Sequence, residues 1–76
     1  MDYVKKIKTL IADKAGLEIS EVTPDQYFED DLNLGEMEVR DILEELEEAL
    51  DIELIEEKDN IETVNDLIEL VREQVE

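Results

Sequence analysis

Phe28-Glu29-Asp30-Asp31-Leu32-Asn33-Leu34-Gly35-Glu36-Met37-Glu38 is the stretch on which the fold turns. Up to Leu34 it reads as the end of a long loop beginning at Leu17. There Thr23-Pro24-Asp25 marks a turn, and Leu17, Ile19, Val22, Phe28 and Leu32 are apolar anchors expected to pin the loop to a core. From Gly35 the reading changes to helix. Glu36 and Glu38 fall in the first turn, where negative charge meets the positive end of the helix dipole. Beyond them Val39, Ile42, Leu43, Leu46 and Leu50 occupy one narrow arc at helical spacing, which makes that arc the core face.

The flanks repeat the helical pattern. Val4, Ile7, Leu10, Ile11 and Ala15 share a face of a first helix from Asp2 to Ala15, and Gly16 is placed to end it in the left-handed conformation. After the second helix, Ile52-Glu53-Leu54-Ile55-Glu56-Glu57 leads into a short helical turn near Glu57 to Asn60. Thr63-Val64-Asn65-Asp66 resembles a capping box with aspartate at the usual glutamate position. It opens a last helix whose inner face is Val64, Leu67, Ile68, Val71 and Val75. The expected fold is all-α, a single domain over residues 1–76, with three main helices, one short helix and a long first loop.

Composition narrows the function. The 76 residues carry a formal charge of −18, from 25 acidic and seven basic side chains. Self-repulsion of that size weakens the compact state and favours a monomer, so folding is expected to depend on salt. Nucleic acid is excluded as a ligand because phosphate contacts need Lys and Arg, and a basic protein surface becomes the expected partner. Disorder competes at this charge, but 42% hydrophobic residues in helical register argue against it. Without cysteine there is neither a disulfide nor a thiolate metal site, and without histidine the usual general base and metal ligand are missing. Apolar runs are too short for a membrane span and no apolar signal region is read, so a soluble cytoplasmic protein is the expectation.

The quoted centre resembles that of an acyl carrier protein. In that family the motif reads Asp-Leu-Gly-x-Asp-Ser-Leu, and phosphopantetheine is esterified to the serine. Gly16-Leu17, Val22-Thr23-Pro24, Leu46-Glu47-Glu48 and Ile61-Glu62-Thr63-Val64 also resemble family positions, in order and at matching spacing. Glu36 falls where the family has its serine, and a carboxylate cannot form the phosphodiester. Ser20, the only serine, lies in the first loop, so no cofactor is expected.

The resemblance further implies docking through the acidic face of helix two. Glu36, Glu38, Asp41, Glu44, Glu45, Glu47 and Glu48 lie on that helix, and Met37 projects about 160° from the core arc. A flexible thioether ringed by carboxylates is expected to anchor a partner steered by charge. The alternative for Met37 is packing against Leu34 or the loop. Arg40 is expected to pair with Glu36 or Glu44. Glu36 has three readings: a first-turn carboxylate stabilising the helix by about 0.3 to 1 kcal/mol, a partial mimic of the phosphodiester, or the mark of a degenerate carrier kept for assembly.

An EF-hand starting at Asp31 would need glycine at position 36 and acid at 42, where Glu36 and Ile42 stand, so no dedicated metal site is read. Two glycines leave no nucleotide fingerprint, and no enzyme is implied. Three functions follow. The first is a non-catalytic module docking basic partners, among them acyl-transfer or fatty acid and polyketide synthesis enzymes. The second is a noncovalent acyl-chain carrier, and the third an acidic mimic that inhibits a carrier- or nucleic-acid-binding enzyme.

Overall fold

A computed structural model describes residues 3–76, so Asp2 of the expected first helix lies outside the described residues. Among the described residues three α-helices, α1 (Tyr3–Ala15), α2 (Glu36–Leu50) and α3 (Val64–Val75), pack around one core, with 3-10 turns at Ile19–Glu21 and Ile55–Asn60. The all-helical bundle with a long first connection is the fold that the periodicity predicts.

Gly16 ends α1 at φ +71°, and Leu17 N–H returns to the Ala12 carbonyl at 2.9 Å. This is the six-to-one bond of a glycine-terminated helix. Ile7 and Ile11 are fully buried as their spacing implies, and Ala12, which the arc omitted, joins them. Asp51 ends α2 in the same way at φ +55°, with Ile52 N–H on the Glu47 carbonyl at 3.2 Å. An aspartate tolerates the left-handed region better than most side chains, because its short polar group bonds locally.

The long loop is fastened by backbone rather than by its apolar residues alone. Phe28 N–H donates to the Glu62 carbonyl and Val64 N–H to the Gln26 carbonyl, both at 3.0 Å, around a single antiparallel bridge of Tyr27 with Thr63. Asn65 N–H reaches the Pro24 carbonyl at 2.9 Å. The segment before α2 is thereby bound to the start of α3, and Val22, Phe28, Leu32 and Leu34 are driven into the core. Ile19 corrects the list of anchors. It opens the unforeseen first 3-10 turn, which leaves its side chain 40% exposed.

At the start of α3 the capping box forms as read. Thr63 Oγ1 accepts from Asp66 N–H, and Asp66 Oδ2 accepts from Thr63 N–H, each at 3.1 Å. Val64, Leu67, Ile68 and Val71 are buried, whereas Val75 lies beyond the edge of the core at 40% exposure, a second correction. The ends of α1 and α3 meet where the Tyr3 hydroxyl donates to Glu76 Oε2 at 2.5 Å. The second 3-10 turn begins at Ile55, two residues before the expected Glu57, because buried Leu54 brings the chain back against α2.

Candidate docking face and adjoining cleft

Everything at this end of the molecule is set by how α2 begins. Gly35 has no side chain to cap the helix, so Glu38 does the work from inside, its Oε1 accepting from Gly35 N–H at 3.1 Å. Ile42, Leu43 and Leu46 are fully buried and turn the opposite side of α2 outward. Met37 is on that side and is 75% exposed, so it does not pack against Leu34 or the loop. Glu36, Glu38, Asp41, Glu44, Glu45 and Glu48 are exposed with it.

The acidic residues are not equivalent. Arg40 Nε donates to Glu44 Oε1 at 3.2 Å, the second of the two partners expected for it. Asp41 lies 3.7 Å from Lys14 of α1. Glu47 differs most, since its Oε2 accepts from Leu54 N–H at 2.6 Å and Ile55 N–H at 3.0 Å. Its half-buried carboxylate fastens the second 3-10 turn to α2 and faces away from the open acidic surface.

Glu36 makes the contact that spacing does not reveal. Its Oε1 accepts a hydrogen bond from Lys58 Nζ at 2.6 Å, across 22 positions of chain. That bond and the adjacent ammonium hold the Glu36 carboxyl below its ordinary range, with a smaller contribution from Arg40. The same bond raises the Lys58 ammonium, and Asp59 adds to the effect. The second 3-10 turn is therefore attached to α2 at both ends, by Glu47 at its start and Glu36 near its end.

Between the Tyr27–Leu34 loop, the first turn of α2 and the second 3-10 turn lies an open cleft of about 510 Å³. Phe28, Leu34, Val39 and Ile61 supply its apolar lining, and Tyr27, 46% exposed, stands at its side. Glu29, Asp30, Glu36, Asp59 and Glu62 also line it, with Arg40 and Lys58. Among the described residues no three carboxylates converge as metal ligands, and no helix is long and apolar enough to cross a membrane.

Known proteins place this architecture. The chain is 36% identical over 73 residues to an acyl carrier protein of Rubrobacter xylanophilus, covering 95% of this chain and 90% of that one. It belongs to the acyl carrier protein family. A second acyl carrier protein, from Streptococcus pneumoniae, is 35% identical over 74 residues and 97% of both chains, and one from Exiguobacterium sibiricum is 34% identical over 70. No family model matches the chain. Membership makes this a carrier-protein-type module and is consistent with a non-catalytic role. Sequence reasoning brought Glu36, Met37 and the acidic side of α2 together. It missed the cleft and Lys58, whose only signal was that it is the lone cation between Arg40 and Arg72.

Proposed function

We propose that this chain is a carrier-protein module that works without a covalent arm and docks on basic surfaces of partner proteins through α2. The observation that carries the reading is Glu36 at the first position of α2, where the family resemblance sets the phosphopantetheine serine. A carboxylate offers no hydroxyl for the phosphodiester, and this one is engaged by Lys58. The residues present do not fit that prosthetic group. Ser20 is exposed but lies in the first 3-10 turn, away from the helix that a modifying enzyme would read.

Docking is supported by the outward side of α2, where exposed Met37 sits among Asp41, Glu44 and Glu48. Charge of one sign steers a basic partner, and an apolar side chain buried on contact supplies affinity. Acyl-transfer enzymes are the partners the family suggests. Noncovalent carriage of a fatty carboxylate is less well supported, because five acidic residues against two basic ones line the cleft and disfavour an anionic head group.

An intact-mass spectrum after coexpression with a broad-specificity phosphopantetheinyl transferase tests the reading. No gain is expected on the natural chain, and a gain of roughly 340 Da, the mass of the arm, on Glu36→Ser. A gain on the natural chain overturns the proposal. For the docking face, Met37→Ala is expected to weaken binding to a basic acyl-transfer enzyme by more than about 1 kcal/mol, and an unchanged affinity removes Met37 as the anchor.

A further inference from the structure

The cleft beside α2 has the chemistry of a receptor for a cationic side chain. Half-buried Val39 and the exposed edges of Phe28 and Ile61 offer an apolar lining for an alkyl stem, and acidic residues outnumber basic ones along the cleft five to two. The whole chain, at −18, concentrates cations around it. One such side chain is already there. Lys58 lines the cleft with its side chain only 31% exposed and puts its ammonium 2.6 Å from Glu36, whose own side chain is 81% exposed. Arg40 is turned to Glu44 instead.

We infer that this cleft accepts an arginine or lysine side chain of a basic protein partner, and that Lys58 is its internal occupant in the free protein, an autoinhibitory contact that docking displaces. The inference rests on the docking reading above and deepens it by dividing the surface in two. The Met37 side is open at all times, whereas Glu36 Oε1 is held by Lys58 until that side chain withdraws. Because Lys58 is carried on a turn anchored independently by Glu47, it can leave Glu36 without releasing the start of that turn. A tethered competitor in an exposed ion pair, filling the site for about half to four-fifths of the time, lowers apparent affinity roughly two- to fivefold by leaving only the remaining fraction competent.

The test is a titration with N-butylguanidinium chloride at constant ionic strength, followed by amide NMR shifts. Four proteins are compared: natural chain, Lys58→Met, Lys6→Met and Glu36→Gln. In Lys58→Met the shifts are expected to gather on Phe28, Glu36, Val39 and Ile61, with a midpoint about two- to fivefold lower than in the natural chain. Lys6→Met makes the same change in net charge on α1 and is expected to move the midpoint by less than about twofold. Glu36→Gln loosens Lys58 but removes the negative charge that pairs with a cationic probe, so it gains nothing. Equal midpoints in Lys58→Met and Lys6→Met, or shifts spread over the acidic surface at large, overturn the inference. Localised probe binding with no docking of basic proteins sinks the docking reading and keeps the cleft as a cation site. Docking without localised binding sinks the cleft alone.

Discussion

Glu47→Ala separates the carboxylates that hold the fold from those that face solvent. Glu47 Oε2 accepts from Leu54 N–H at 2.6 Å and Ile55 N–H at 3.0 Å, and Leu54 itself is fully buried. A hydrogen bond to a charged acceptor contributes about 1.5–3 kcal/mol when shielded. This carboxylate is half-buried, so water replaces part of what is lost, and two such bonds discounted for exposure give a destabilisation of about 2 kcal/mol. The stability of a chain this long is about 4–11 kcal/mol, at roughly 0.05–0.15 kcal/mol per residue. The loss is therefore a fifth to a half of the total, and the melting temperature is expected to fall by roughly 8–16 °C. Glu48→Ala is the control, since it removes the same charge from the next, exposed position and brings the same gain in helix propensity. It is expected to stay within about 0.5 kcal/mol of the natural chain, on the stabilising side if relief of repulsion dominates. Urea and thermal melts followed by circular dichroism measure both. Glu47→Ala melting no lower than Glu48→Ala would refute the role given to those two N–H groups. Glu47→Gln, which keeps an accepting oxygen, is expected to fall between them.

Further outcomes follow from the same structure. Glu36, facing Lys58 and Arg40, has a carboxyl held below its ordinary 4.5, so the stability it adds is present above that value and lost as pH falls through the lower folded one. Lys58, facing Glu36, Asp59 and Arg40, is raised above its ordinary 10.5, so its share is present below that value and lost as pH rises through the higher folded one. The stability difference between the natural chain and Lys58→Met, from urea melts, is thus expected to be flat between about pH 5 and 10 and to shrink at both ends. A difference that grows on acidification contradicts the pairing. Raising sodium chloride from about 0.01 to 0.15 M shortens the Debye length from roughly 30 to 8 Å, so the melting temperature is expected to rise as repulsion within the −18 chain is screened. A fall would mean that the few ion pairs outweigh the repulsion. Leu43→Ala, at a fully buried position, is expected to cost about 2–5 kcal/mol and leave the chain near its unfolding threshold in urea.

Helical periodicity was enough for α1, α2 and α3 because each presents one continuous apolar arc, and burial of that arc fixes the rotation of the helix. Val75 was misjudged because a pattern says which side a residue is on, not how far the core extends along the element, and Ile19 because apolar character alone does not reveal the 3-10 turn that leaves it exposed. Leu34 escaped notice as a core residue because it is fixed by Leu34 N–H on the Phe28 carbonyl at 2.8 Å, a loop geometry with no periodicity to read. For the candidate site, the residues on α2 were legible and their partners elsewhere were not. The path of the second 3-10 turn is set by Leu54 burial and the Glu47 carboxylate, and only that path carries Lys58 to Glu36.

That contact bears on the readings of Glu36. As a first-turn carboxylate it adds modestly to α2 through the helix dipole, and any acid at that position would do the same. As a phosphodiester mimic it must present its charge to a partner, yet Lys58 neutralises it locally at 2.6 Å. A carboxylate already carries less charge than a phosphate and fewer acceptor oxygens, so in the latched state the mimicry is further diminished. It recovers only if a partner supplies a cation that replaces Lys58, because one cation is then exchanged for another and the cost of breaking the internal pair is largely returned. The two proposals therefore stand in sequence: Met37 and its exposed carboxylates make first contact, and Glu36 contributes after the exchange.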